Sequence, residues 1–208
     1  MKNEIQSALA KAYSYEAYRA SVKTQFLAGR VTGNEQSEAF LHYTELNESR
    51  MNRLDKTSSL TPDTISAIEQ WDVKYIWLVL TEGWCADGAQ VLPVLHKMAQ
   101  ANSSIDLKLV FRDENDPLMQ QVLSNGAKAM PKLLIIDPEN FTLLGQWGPR
   151  PKGAVEFIAN YKKEHGLVDE TAKANLQLWY FRDKGVEIQQ EIVALMHQVL
   201  STSLHNQQ

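Results

Sequence analysis

Hydrophobic and polar positions alternate along this chain with three different periods. Over the first 70 residues the period is helical. Ile5, Leu9, Ala12, Tyr15, Val22 and Phe26 recur at steps of three and four or their multiples and share one face, which predicts a helical run ending at Gly29. A loop at Thr32-Gly33-Asn34 precedes a second stripe of Phe40, Tyr43, Asn47, Met51 and Leu54, with charges opposite. Thr61-Pro62-Asp63 reads as a helix start: a capping hydroxyl, a proline tolerated in the first turn, and an acid at the positive end of the dipole. Ile65 and Ile68 would be the buried face of that helix.

From residue 74 the pattern changes. Tyr75 to Leu80 is continuously apolar and rich in β-branched and aromatic residues, as expected of a strand buried on both faces. Gly83-Trp84-Cys85 interrupts it, and 86–101 is amphipathic with Val91, Leu92, Leu95 and Met98 on one side. Residues 105–111 alternate as a second strand. A polar turn at 113–116 and a short helix over 117–124 follow, then a third strand at 133–136, a turn at 137–140 and a fourth strand at 141–147. The four-residue turn makes the last two strands an antiparallel hairpin. Residues 151–164 read as a helix with Val155, Ile158 and Ala159 inward. The order β-α-β-α-β-β-α predicts an α/β fold with parallel crossovers and an antiparallel edge. Beyond His165-Gly166 the chain is helical again, with stripes at Leu176, Trp179, Tyr180 and at Ile188, Ile192, Leu195, Met196, Val199; Asp183-Lys184-Gly185 either separates two helices or lies within one. Trp71, Trp179, Tyr180 and Phe181 make the ends too aromatic for linkers, so three segments are expected: a helical N-terminal extension (1–70) packed on the core, an α/β domain (71–164), and a C-terminal helical extension (165–208).

Composition narrows the function. With 208 residues, 44% apolar and 22% charged, the chain has the make-up of a globular protein. A formal charge of −4 without a basic run gives no electrostatic reason to bind nucleic acid or a membrane surface. No apolar run approaches the length of a membrane span, and charges through the first twenty residues are unlike a secretion signal. A cytoplasmic location is the expectation, and a single cysteine suits it. One cysteine also excludes an internal disulfide and a cysteine-based zinc site. No phosphate loop, dinucleotide fingerprint or serine elbow occurs, so no cofactor is expected. The acids Asp113, Glu114 and Asp116 read as turn and cap residues, not a metal site.

The one segment with chemistry is Thr81-Glu82-Gly83-Trp84-Cys85-Ala86-Asp87-Gly88, between a buried strand and a helix start. With Trp84-Cys85 after a strand, Pro93 eight residues later, Met130-Pro131 before the third strand, and this element order, residues 71–164 resemble the thioredoxin family, and more closely its small bacterial members with a Trp-Cys-Gly-Asp type motif. The resemblance implies a thioredoxin-like three-layer fold: a mixed sheet of about four strands flanked by helices. It also implies a cis proline at Pro131, with Met130 presenting backbone groups beside the cysteine, and a kinked helix at Pro93. This chain departs from the family pattern in three places. Asp87 replaces the motif proline, Gly88 the second cysteine, and Val79 the buried acid of the strand.

Any thiol chemistry is therefore monothiol. Cys85 would attack a disulfide-containing protein or a low-molecular-weight thiol disulfide, and a second molecule would resolve the mixed disulfide. The alternative is a redox-inactive module whose groove binds a peptide, small thiol or protein partner, with Cys85 inert. Asp87 either relays protons or is a first-turn acid. Trp84 is packing, a lid over the thiol, or part of a peptide surface. The resemblance implies that Met130 and Pro131 dock substrate as an added strand would; the alternative is an ordinary trans proline opening a strand. Arg150 pairs with Asp87, meets an anionic substrate, or is solvated. A helix dipole worth ~0.3–2 kcal/mol opposes a carboxylate ~6 Å away worth ~2.8 kcal/mol at an effective dielectric of ~20. The near balance predicts a Cys85 pKa close to the ordinary value of about 8.5. His96, three helical turns from Cys85, is ~16 Å away by helix rise and too far to act as its base.

Overall fold

The computed structural model describes residues 1–205; residues 206–208, the end of the expected C-terminal extension, lie outside the described residues. Four helices precede the sheet: α1 (Lys2–Leu9), α2 (Tyr15–Leu27), α3 (Glu38–Thr57) and α4 (Pro62–Ile68). The expected run from Ile5 to Phe26 is thus two helices. Between them Tyr13 exchanges backbone hydrogen bonds with Leu109 (2.8 and 2.9 Å), and Ser14 caps α2 through Ala17 N–H. Helical spacing persists through this break, so the pattern alone could not reveal it. Thr61 caps α4 as its side chain predicts, and Ser37 caps α3, an end the sequence reading left unmarked. In α4, however, Thr64 and Ile68 are buried while Ile65 is 41% exposed, because the threonine hydroxyl finds the Thr61 hydroxyl at 2.8 Å.

The sheet comprises β1 (Tyr75–Thr81), β2 (Ile105–Phe111), β3 (Lys132–Ile136) and β4 (Leu143–Trp147), in the order β2-β1-β3-β4. The strands β1 and β2 are parallel across α5 (Ala86–Gln100), Tyr75 facing Ile105 and Thr81 facing Phe111. Against the expectation of a parallel crossover into the third strand, β3 runs antiparallel to β1, while β4 runs antiparallel to β3 as the expected hairpin. The link from β2 holds a 3-10 turn (Asp113–Asn115) and the one-turn α6 (Asp116–Met119), shorter than the helix expected over 117–124, and no full helix carries the chain back for a parallel return. The last strand begins two residues late because Phe141 takes φ +60° in the turn.

Alternate residues of β1 and β3 feed two cores, which is why the runs 75–80 and 133–136 are apolar at every position. On one face Leu78, Leu80, Val110, Leu134 and Ile136 meet Ile5 and Ala8 of α1 and Leu118, Met119 and Val122 around α6. On the other, Trp77, Val79, Leu109, Leu133 and Ile135 meet α5, Tyr18 and Val22 of α2, and the C-terminal helices. Three helices complete the chain: α7 (Lys152–His165), α8 (Glu170–Asp183) and α9 (Val186–His205). Lys184 and Gly185, at φ +57° and +76°, divide α8 from α9; a Cβ at Gly185 would lie 2.7 Å from Val94 of α5. Ile188, Ile192, Met196 and Val199 are buried as predicted, with Leu176 and Tyr180. The face of α7 is rotated from the expected one: Ala154 is buried and Phe157 and Ile158 pack on the core, while Val155 (47%) and Ala159 are exposed. The result is a mixed four-stranded sheet between helical layers, the α/β arrangement expected. No helix among the described residues is long and apolar enough to cross a membrane.

Candidate functional site

Cys85 is the N-cap of α5. It has extended φ/ψ, and its sulfur accepts the Gly88 N–H at 3.2 Å. The Met130–Pro131 peptide is cis, and the Cys85 thiol donates to the Met130 carbonyl at 3.4 Å. A second cis bond, Gly148–Pro149, which the sequence reading did not anticipate, precedes Arg150. Cys85 is 7% exposed. Burial, with the Asp87 charge second, pushes its thiol up to about 12, against the amides of Gly88 and Asp87 and the charge of Arg150, which pull it down. The expectation of an ordinary value is overturned: it balanced dipole against carboxylate and left out desolvation, which dominates here.

Asp87 is also buried, and both of its oxygens are engaged. Arg150 donates Nε–H (2.8 Å) and Nη2–H (2.7 Å) to Oδ2, and the Tyr180 hydroxyl donates to Oδ1 at 2.9 Å. Arg150 thus pairs with Asp87, one of the roles considered for it, and stays 30% exposed. Burial would lower the Arg150 pKa, but the bonds to Asp87 more than offset it. Tyr180, raised well above its ordinary value by burial and then by Asp87, stays protonated as the donor. The sequence reading took Tyr180 for a core residue of the C-terminal stripe; nothing in its spacing marks the 93-residue reach to Asp87.

Trp84 is held by the N-terminal segment. Its Nε1–H donates to the Thr32 carbonyl (3.0 Å), the Phe40 ring stacks on it at 4.1 Å and 11°, and the Arg112 guanidinium lies 5.4 Å from its centroid. The turn beneath is fixed from the same side: Gly83 N–H donates to the Thr32 hydroxyl at 2.8 Å, and Asn47 donates to the Gly83 carbonyl at 2.9 Å. Tight packing on Val22, 2.7 Å from where a Cβ would sit, requires glycine at 83.

Glu82 is a buried acid that the sequence reading passed over. Its Oε1 accepts the Asp113 N–H at 3.0 Å, and burial, assisted by the Asp113 charge, pushes its carboxyl up to about 7. An acid directly after a fully apolar strand was the available signal. At Gly88, where the family pattern has a second cysteine, a Cβ would lie 2.7 Å from Thr81 Oγ1 and 3.4 Å from Cys85 Sγ. The acids Asp113 and Asp116 are in ion pairs with Arg112 and Lys128. His96 stacks on Tyr15 and pairs with Glu16.

A groove of about 430 Å³ opens over Cys85, between Phe40, Tyr43 and Trp84 on one side and Met130, Pro149 and Arg150 on the other. All the expected site residues except Pro131, which is buried behind Met130, line it. Fold and site together define a thioredoxin-fold protein with one cysteine at the turn between β1 and α5. The chain matches the Thioredoxin_9 family model, described as thioredoxin, over residues 33–163, and it belongs to that family. Two solved structures share the fold at a TM-score of 0.55. One is an HIV epitope scaffold (20% identity, covering 84% of this chain and 96% of that one). The other is a protein of unknown function from Pseudomonas aeruginosa (18% identity, 89% and 98%). No curated protein matches this chain.

Proposed function

We propose that this chain carries out monothiol disulfide exchange through Cys85. The observation that carries the reading is the placement of the Cys85 sulfur, on the floor of an open groove between the Gly88 amide and the Met130 carbonyl. The thiol loses its proton to solvent base. The thiolate attacks one sulfur of a bound disulfide, a Cys85–S–S–R bond forms, and the other sulfur leaves as a thiolate and takes up a proton. Gly88 cannot resolve the adduct, so a second thiol must. A thiol of raised pKa is a poor leaving group, so the mixed disulfide is expected to persist until that second thiol attacks the R sulfur, forms a new disulfide with R and expels Cys85 as a thiolate that takes up a proton. Asp87 accepts from Arg150 through Oδ2 and from Tyr180 through Oδ1, and its role in this scheme is to fix Arg150 at the groove wall.

A redox-silent binding module is the second reading, favoured by the burial that lifts the Cys85 thiol to about 12. Trapping separates the two. The purified chain is incubated with a small disulfide at pH 8, quenched in acid and weighed intact, with Cys85→Ser as control. An adduct on the wild type alone supports exchange. An unmodified chain, with Cys85 shown to be free by alkylation after unfolding, establishes the module.

A further inference from the structure

The substrate class can be drawn from the groove wall, and the inference rests on the exchange reading. In a chain of net charge −4, the groove over Cys85 is lined by Arg112, Lys128, Arg150 and Lys173, with Asp87 as its one carboxylate. These cations come from four separate places: the end of β2, the loop before Met130, the turn after β4, and α8. Three have their counter-acids outside the groove lining: Asp113 for Arg112 (2.7 Å), Asp116 for Lys128 and Glu170 for Lys173 (2.6 Å). Arg150 spends Nε and Nη2 on Asp87 and remains 30% exposed. Lys128 and Lys173, at 43% and 51%, keep their ammonium groups within reach of solvent and of any ligand.

Two further observations set the ligand's size. Phe40 and Tyr43 of α3 and Lys173 of α8 wall the open groove that holds the cysteine. Its volume is in the range that holds a small molecule, roughly 300–1,000 Å³. A carboxylate entering there exchanges water for guanidinium and ammonium donors, and these bonds are stronger than neutral ones.

We infer that Cys85 selects small disulfides whose substituents carry carboxylates, the anionic end held by Lys128, Lys173 and Arg150 while the sulfur meets Cys85. Exchange with such a disulfide leaves the carboxylate-bearing half on Cys85 and releases the other half as its thiol. No external oxidant is consumed.

The test uses three disulfides of similar size: 3,3′-dithiodipropionate (anionic), bis(2-hydroxyethyl) disulfide (neutral) and cystamine (cationic). Adduct formation on the full chain is followed by intact mass, each rate divided by that of the same probe with the urea-unfolded chain. The anionic probe should react about tenfold faster than the neutral one at low salt, with cystamine slowest, and the spread should shrink in 0.5 M NaCl, roughly a 4 Å screening length. In Lys128→Ala/Lys173→Ala the anionic-to-neutral ratio should fall severalfold. A neutral probe equal to or faster than the anionic one overturns the charge selection and leaves exchange standing. No adduct from any probe overturns both.

Discussion

A thiol held at about 12 makes a strong kinetic prediction for Cys85. Raising the pKa from 9.0 to about 12 leaves the thiolate about a thousandfold rarer at any neutral pH, a difference of about 4 kcal/mol. A more basic thiolate is a better nucleophile, and with a Brønsted slope of ~0.4–0.5 this recovers about 20-fold. Alkylation of folded Cys85 at pH 7 should therefore be roughly 50-fold slower than in the unfolded chain, before any steric hindrance. The assay is iodoacetamide labelling from pH 6 to 10.5, with Cys85→Ser as blank. The rate should climb about tenfold per pH unit without a plateau, whereas the unfolded chain levels off near about 8.5–9. The same shift acts on stability. Because the folded-state pKa is the higher one, the native thiol keeps its proton where the unfolded thiol has lost it. The contribution is whole below about pH 9 and drains away as pH rises toward 12, at about 1.4 kcal/mol per unit. Urea titrations should show wild type losing about 1 kcal/mol more than Cys85→Ser between pH 9 and 10, where the unfolded thiol is still completing its titration. A labelling plateau below pH 9 would refute the reasoning, since it would mean the groove solvates the sulfur far better than its burial implies.

Glu82 gives a second titration. Its folded pKa is raised from 4.5 to about 7, so its contribution is whole below about 4.5 and is lost as pH rises through 7. Glu82→Gln, which can still accept the Asp113 amide, should gain about 2 to 3 kcal/mol over wild type between pH 5 and 8 in urea melts, and parallel curves would contradict the shift. Tyr180→Phe removes a 2.9 Å bond to a buried carboxylate oxygen and should cost about 1–2 kcal/mol in chemical denaturation; a neutral result would mean water replaces the hydroxyl. Gly88→Cys should not yield a two-cysteine reductase, because the new Cβ meets Thr81 Oγ1 at 2.7 Å; a loss of about 1–3 kcal/mol, relieved by Thr81→Ala, is expected from melting curves.

Much of the molecule was legible in order along the chain. The runs 75–80 and 133–136 mark the two inner strands, because a strand buried on two faces needs apolar residues throughout, the alternation over 105–111 marks the edge strand β2, and Thr61 and Gly166 mark helix ends through local hydrogen bonding and φ. The motif around Trp84-Cys85 and the peptide before Pro131 marked the site, and its single cysteine fixed the monothiol character of any exchange. These are signals carried by neighbours in sequence, where composition and periodicity act directly.

Tertiary packing decided the rest. It set the antiparallel direction of β3, which no periodicity encodes, and the break at Tyr13, where a partner 96 residues away captures the backbone. Tyr180 and Arg150 converge on Asp87 from 93 and 63 residues away, and Thr32 and Phe40 pin Trp84 from the N-terminal segment. The thiol itself shows the division most clearly. Sequence gave its neighbours and so its local charges, but the free energy of removing a sulfur from water depends on which distant segments cover it, and only the assembled fold determines that.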